Sequence, residues 1–100
     1  MIEVTANKRK IRVKGHANFG TKGNDIVCAA VSSLVNTTLN SLKSFKKSEI
    51  QIKDGDVSID IRHKVKRDDQ VRLEMLVKGL KLIAMQYPDK IKVKEVKLFL

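Results

Sequence analysis

The chain contains one cysteine and two histidines, and His16 precedes Cys28 by only twelve positions. An apolar-rich segment with helical spacing begins near Asn24 or Asp25, which predicts that Cys28 lies in or just after the first turn of a helix. Unpaired backbone N–H groups and the helix dipole favour an anion there, so a thiol in that position loses its proton more easily. A thiolate with an imidazole base nearby is an activated nucleophile.

A predicted strand ends at Gly15, so that His16 begins the loop that leads to Cys28. This loop contains Gly20 and Gly23, which would let it fold back onto the start of the helix. Both reactive residues also have simpler interpretations. Cys28 is typical of a small buried apolar residue, and His16 of an exposed loop histidine.

Two polar residues share a side of the predicted helix with Cys28, since Asp25 is three positions before it and Ser32 four positions after it. Asp25 either orients His16, as the third group of a triad does, or simply caps the helix. Ser32 either donates a hydrogen bond near the sulfur or bonds back to its own helix. The backbone N–H groups around Cys28 are natural donors to a developing oxyanion.

The loop also supports a different function. Gly20-Thr21-Lys22-Gly23 is a G-x-x-G turn entering a helix, similar to the turn with which KH-type modules hold a nucleic-acid backbone. In those modules the turn joins two helices, whereas here a strand lies just upstream.

The second histidine, His63, stands among Arg62, Lys64 and Lys66 and is expected to be solvated or to face a polyanion. One cysteine and two distant histidines form no standard metal cluster, so no metal or cofactor is predicted.

The composition is basic, with 21 Lys and Arg against 11 Asp and Glu and a net charge of +10. Such a charge attracts polyanions such as RNA, ribosomes or an anionic membrane. The lysines are spread along the chain, so a well-solvated surface is the alternative interpretation. The single cysteine excludes an internal disulfide, and we recognise neither a signal pattern nor a membrane-spanning run. These features predict a cytoplasmic protein that is not in the membrane.

Hydrophobic periodicity predicts one α+β domain over residues 1–100, with elements in the order ββαββαβ. We expect two layers, a mostly antiparallel sheet with both helices on one face. Strands are predicted at 2–6, 11–14, 50–52, 57–61 and 91–98, and helices from Ile26 to about Leu42 and from a cap at Asp68 or Asp69 to Tyr87.

The second predicted helix has more apolar surface than a single sheet requires. Besides its main stripe it carries Val71, Met75 and Leu82, which point elsewhere and predict a homodimer. Gly79 in mid-helix costs about 1 kcal/mol relative to alanine, which indicates close packing at that point.

The central stretch resembles the ribosomal-processing cysteine protease family called Prp. The family pattern is Gly-His-Ala, a loop with two spaced glycines, and then Asp-Ile-Val-Cys-Ala-Ala-Val-Ser. This chain matches it at residues 15–17, at Gly20 and Gly23, and at residues 25–32. Gly79-Leu80 and Tyr87-Pro88 also stand as in relatives, so the resemblance covers the whole chain.

The resemblance implies that Cys28 is the nucleophile and His16 the general base, with Asp25 and Ser32 in support and the two loop glycines as a hinge. It also implies a homodimer that removes a short N-terminal extension from the large-subunit ribosomal protein numbered twenty-seven. Relatives are often acidic in the loop, where this chain has Asn18, Phe19, Thr21 and Lys22. The basic surface here would suit docking on ribosomal RNA. The alternative function is a noncatalytic RNA- or ribosome-binding protein that uses this surface and the G-x-x-G turn.

Overall fold

Two β-hairpins and a final strand form the sheet, and two helices complete the structure. The computed structural model describes residues 1–15 and 26–99. The predicted order ββαββαβ is confirmed. The elements are β1 (Ile2–Ala6), β2 (Lys10–Lys14), α1 (Ile26–Ser41), a single 3-10 turn (Lys47–Glu49), β3 (Ile50–Lys53), β4 (Asp56–Asp60), α2 (Arg67–Gln86) and β5 (Ile91–Glu95).

The strands lie in the order β3-β4-β2-β1-β5. The β1–β2, β2–β4 and β3–β4 pairs are antiparallel and the β1–β5 pair is parallel, so the prediction of a mostly antiparallel sheet is confirmed. Val4 pairs with Val13 on one side and with Val93 on the other. Because paired residues project from the same face of a sheet, this register collects the apolar residues on one face.

Both helices place an apolar stripe in the core. Val27, Val31 and Val35 of α1 are buried at helical spacing. On α2 the buried apolar residues are Leu73, Leu76, Val77 and Leu80. This spacing directs one face of each helix to the core, as expected for a two-layer fold.

The two helices meet closely at Gly79, which confirms the predicted role of this glycine. A Cβ atom built on Gly79 would lie 2.9 Å from Cδ1 of Leu34 on α1. Even an alanine would therefore push the leucine side chain away, and glycine permits a close approach despite its cost within a helix.

The predicted cap of the second helix is wrong. Lys66 is the N-cap, without a side-chain hydrogen bond, and the helix begins at Arg67. Asp69 is only 1% exposed and serves another purpose. Its carboxylate accepts backbone N–H bonds from Lys43 at 3.2 Å and Ser44 at 2.9 Å, and a side-chain bond from Arg72 at 2.8 Å. The carboxylate therefore holds the chain that leaves α1.

Opposing effects set the ionisation of Asp69. Burial raises the pKa of the carboxyl group, but the backbone hydrogen bonds from Ser44 and Lys43 and the side chain of Arg72 lower it. The lowering effects prevail, and the pKa lies below the ordinary value for aspartate. The charged form is therefore the one that the folded protein stabilises.

The last strand is shorter than predicted. It ends at Glu95, and the predicted strand residues Val96 and Leu98 lie beyond it. Backbone pairing with β1 continues for one hydrogen bond beyond the strand, since the N–H of Val96 donates to the carbonyl of Ala6 at 2.8 Å. Leu98 is nevertheless buried, so its apolar character reflects core packing without regular strand geometry.

Within residues 1–15 and 26–99, neither helix combines the length and hydropathy needed to cross a bilayer.

We expect Asp69→Ala to lower the free energy of unfolding by about 3 kcal/mol, because it leaves buried donors without their acceptor. Urea denaturation measures this loss. Since the folded-state pKa is lowered, the stabilisation is present above the unfolded pKa of about 3.9 and is lost as the pH falls through the folded value. The difference between parent and variant should therefore shrink below about pH 4.

Asp68→Ala is the matched control, because Asp68 lies in the same first turn but is exposed. We expect it to change stability by less than about 0.5 kcal/mol. Equal losses in the two variants would contradict the anchoring role of Asp69.

Candidate active site

Cys28 is the third residue of α1, as the helical spacing predicted. The neighbouring residues Val27 and Val31 are buried, and their packing fixes the rotation of the helix. The Cys28 side chain is half-buried and packs against the edge of the core. Ile26, by contrast, is 53% exposed, so the start of the helix is open to solvent on one side. The thiol thus lies at the border between core and surface.

The electrostatics at this helix end favour a negative sulfur. The first backbone N–H groups of a helix point out of its start, and the helix dipole adds positive potential at the same end. The first turn of α1 contains no acidic side chain that would oppose it. A thiolate of Cys28, or an oxyanion formed next to it, is therefore stabilised by the backbone itself.

Gly15 determines how the chain leaves β2 toward His16. Its φ is +103°, a conformation that L side chains rarely adopt. A Cβ atom on Gly15 would overlap the carbonyl oxygen of Met1, and the N–H of Gly15 donates to the carbonyl of Gly55 at 2.8 Å. The chain is thus tightly held immediately before the histidine. Sequence reasoning assigned Gly15 no role beyond the motif, although a glycine at a strand end beside a candidate base was the available signal.

Several predicted site residues lie outside the described residues: His16, Gly20, Lys22, Gly23 and Asp25. Among the others, Ser32 is exposed and lies one helical turn beyond Cys28, on the side that was predicted.

The second histidine is largely shielded from solvent, so the prediction of a solvated position is wrong, while its alternative, a position that faces a polyanion, stays a prediction. The side chain of His63 is 27% exposed, and its Nδ1 lies 2.6 Å from Oε2 of Glu49. The two atoms are in contact without forming a hydrogen bond, since neither ring nitrogen of His63 has a hydrogen-bond partner in the described part of the chain. The ring also packs edge-on against Phe45, with centroids 4.8 Å apart. His63 therefore belongs to a packed cluster beyond the C-terminal end of α1.

The length of α1 separates this cluster from Cys28. Ser41, at the end of the helix, is thirteen positions beyond Cys28, which corresponds to about 20 Å. Phe45, which contacts His63, lies beyond that end. The imidazole of His63 is therefore remote from the sulfur.

No group of three or more His, Cys, Asp or Glu side chains in the described part of the chain is arranged to hold a metal ion.

Comparison with known proteins connects this arrangement to a family. The family model described as cysteine protease Prp matches residues 1–92. The ribosomal processing cysteine protease Prp of Mycoplasma genitalium is 30% identical over 98 residues, covering 95% of this chain and 96% of the relative. The Mycoplasma pneumoniae protein of the same name is 29% identical over 92 residues, covering 89% of each.

A solved structure agrees with these relatives. The ribosomal processing protease Prp from S. aureus, in complex with a covalently linked product peptide, has a TM-score of 0.81 and 25% identity. The match covers 95% of this chain and 97% of that one. Together with a cysteine in the first turn of α1, these matches identify the chain as a member of the cysteine protease Prp family and as a cysteine protease.

Proposed function

We propose that this chain is a cytoplasmic endopeptidase that removes the N-terminal extension of the large-subunit ribosomal protein numbered twenty-seven, with Cys28 as nucleophile and His16 as general base. The observation that carries the proposal is the half-buried thiol of Cys28 in the first turn of α1. The names of the relatives support a ribosomal substrate, and the S. aureus relative in complex with a covalently linked product peptide supports peptide cleavage.

The reaction follows from the chemistry of the two side chains. The thiolate of Cys28 attacks the scissile carbonyl carbon and forms a C–S bond, while the carbonyl electrons move to the oxygen. Backbone N–H groups at the start of α1 stabilise that oxyanion. The C–N bond then breaks as protonated His16 gives its proton to the leaving amine. Water activated by His16 hydrolyses the thioester and restores the thiol and the neutral base.

The position of the second histidine supports His16 as the base. The chain contains two histidines, and His63 contacts Phe45 and Glu49 beyond the far end of α1. A general base must come within hydrogen-bond reach of the group that it deprotonates. His16 is then the imidazole left to serve Cys28, and its neighbour Gly15 is held at the end of β2.

We assign supporting roles to two further residues and to the loop glycines. Asp25, three positions before Cys28, orients the imidazole of His16 or forms an ion pair with its protonated form, in addition to capping the helix. Ser32, exposed one turn beyond Cys28, contributes a hydroxyl on the substrate side. The two loop glycines, Gly20 and Gly23, act as the hinge of the loop between β2 and α1.

We also propose that the enzyme is a homodimer that pairs through α2. Four exposed apolar residues occupy the side of α2 opposite its buried face, namely Val71, Met75, Leu82 and Met85, and the two methionines are 74% and 78% exposed. The stripe is self-complementary about a point near Lys78. In an antiparallel pair of helices Met75 would face Leu82 of a second copy, as a two-fold interface requires.

Cys28→Ala is expected to lower the rate of cleavage of the extended ribosomal protein by about 10⁴-fold or more, since it removes the nucleophile. Mass spectrometry of the products measures the rate and the bond that is cut. Ser32→Ala is the control on the same helix face and should lose less than about tenfold. Cleavage that survives in Cys28→Ala would refute the mechanism.

Gly15→Ala should reduce kcat/KM by about 100-fold. The backbone at residue 15 must shift to avoid the carbonyl oxygen of Met1, and this shift displaces the neighbouring His16. Urea denaturation should show a loss of about 2 kcal/mol from backbone strain. Asp69→Ala is the control, since it also lowers stability, but its carboxylate binds the chain beyond the far end of α1 and does not contact the residues that hold Gly15. We expect it to lose stability with little loss of kcat/KM, and equal kinetic losses in both variants would contradict a positioning role for Gly15.

Met75→Glu combined with Leu82→Glu should convert the dimer to monomer in sedimentation velocity at micromolar concentration, because it places charges in an apolar interface. Val96→Glu is the matched control, since Val96 is 64% exposed but lies beyond β5. A parent protein that sediments only as monomer would exclude the proposed dimer.

A further inference from the structure

Two short segments that are distant in the sequence meet beyond the C-terminal end of α1. Residues 43–49 and 61–67 together contain seven Lys and Arg residues and one acidic residue, Glu49. Phe45 and Glu49 of the first segment contact His63 of the second. Asp69, just after the second segment, binds the backbone of the first. The fold thus gathers cations at one end of the molecule.

Two nearby carboxylates, those of Glu49 and Asp69, are directed away from these cations, whereas the carboxylate of Asp60 pairs with Arg62 at 2.6 Å. Glu49 is occupied by the backbone N–H of Lys46 at 2.7 Å and by the ring of His63. Asp69 is buried and bound by backbone N–H groups and Arg72. Each carboxylate is therefore used inside the structure, and neither forms an ion pair with an exposed ammonium group of this region.

The two segments contain five lysines whose ammonium groups have no carboxylate partner. We name this group the lysine end: Lys43, Lys46, Lys47, Lys64 and Lys66. All five are exposed. Within the described ranges 1–15 and 26–99, none of their ammonium groups lies within 4 Å of a carboxylate. Like charges gathered without counterions create a positive potential that attracts a polyanion.

On the open face of the sheet, by contrast, positive and negative side chains alternate. Arg12 forms a two-point ion pair with Asp56 at 2.7 and 3.0 Å. Glu3 pairs across the sheet with Lys14 and Lys92, which places opposite charges side by side. The net charge of the chain is therefore concentrated at the lysine end more than on the sheet.

A polar groove of about 430 Å³ extends the basic region toward the turn between β1 and β2. Arg9, Lys10 and Arg62 contribute positive charge to its wall, and Ser48 and Ser58 contribute hydroxyl groups. Glu49 and Asp60 also line the groove, where Asp60 pairs with Arg62. No large exposed apolar side chain is found in residues 43–49 or 61–67, and these segments lie within the described chain. Cations and hydroxyl donors without an apolar wedge suit a phosphate backbone better than insertion into a membrane.

We propose that the lysine end binds the phosphate backbone of RNA, at a site separate from the catalytic residues. Because α1 separates the lysine end from Cys28 by about 20 Å, RNA can occupy one end while a peptide occupies the other. Cleavage of a peptide does not require this contact, so the proposal stands apart from the protease mechanism.

The test measures binding of a fluorescently labelled single-stranded RNA by anisotropy, from about 50 to about 200 mM salt. The triple variant Lys46→Gln, Lys47→Gln, Lys64→Gln should bind at least about tenfold more weakly than the parent. The slope of log K against log salt should become shallower by about 2, as expected when three phosphate contacts are lost.

The matched control is Lys92→Gln, Lys94→Gln, Lys97→Gln, which removes the same charge from exposed lysines on and after β5. It should leave the salt slope nearly unchanged. Cys28→Ala should bind RNA as the parent does, which separates the result from the outcome of the cleavage assay.

Three outcomes would overturn the proposal. The first is absence of RNA binding by the parent. The second is an equal loss in the two triple variants, which would indicate diffuse attraction by net charge. The third is binding to vesicles of phosphatidylserine and phosphatidylcholine without binding to RNA, which would assign the lysine end to a membrane surface.

Discussion

The burial of one apolar stripe of α1 is the constraint on which the candidate active site depends. Val27, Val31 and Val35 must face the core, and this requirement fixes the rotation of the helix about its axis. Cys28 follows the first of them and therefore comes to the border of the core, half-buried. The close approach of α1 and α2 at Gly79 keeps the helix from rotating. The sulfur of Cys28 is thus positioned by the packing of apolar residues.

The same helix has opposite electrostatic requirements at its two ends. Backbone N–H groups point out of the start of α1, whereas carbonyl groups point out of its end and the chain must turn away. Asp69 satisfies backbone N–H groups of that turn from within α2. This buried carboxylate joins α2 to the chain that leaves α1, and the lysines around it are exposed. One helix therefore separates an anion-stabilising cysteine site from a cation-rich surface.

Much of the fold and part of the site were predictable from the sequence, because they depend on local patterns. The alternation of Ile2, Val4 and Ala6 predicts a half-buried strand, and the structure contains it. The helical spacing of Val27 and Val31 predicts α1 and places Cys28 in its first turn. The order of elements also follows from such periodicities. The roles of the residues around Cys28 came from the motif and its resemblance to a family, and the fold provides the helix start that this chemistry needs.

Only the tertiary structure decided which distant residues meet, because residue type alone does not indicate a partner far along the chain. Asp69 has the sequence signature of a helix cap, yet its carboxylate binds the backbone at Lys43 and Ser44. His63 lies among cations in the sequence, yet in the fold it packs between Phe45 and Glu49. The sequence by itself determined the elements, the motif and the total charge. Long-range packing decided where that charge is uncompensated, since the carboxylates of Asp69 and Glu49 are engaged within the fold and do not pair with the lysines around them.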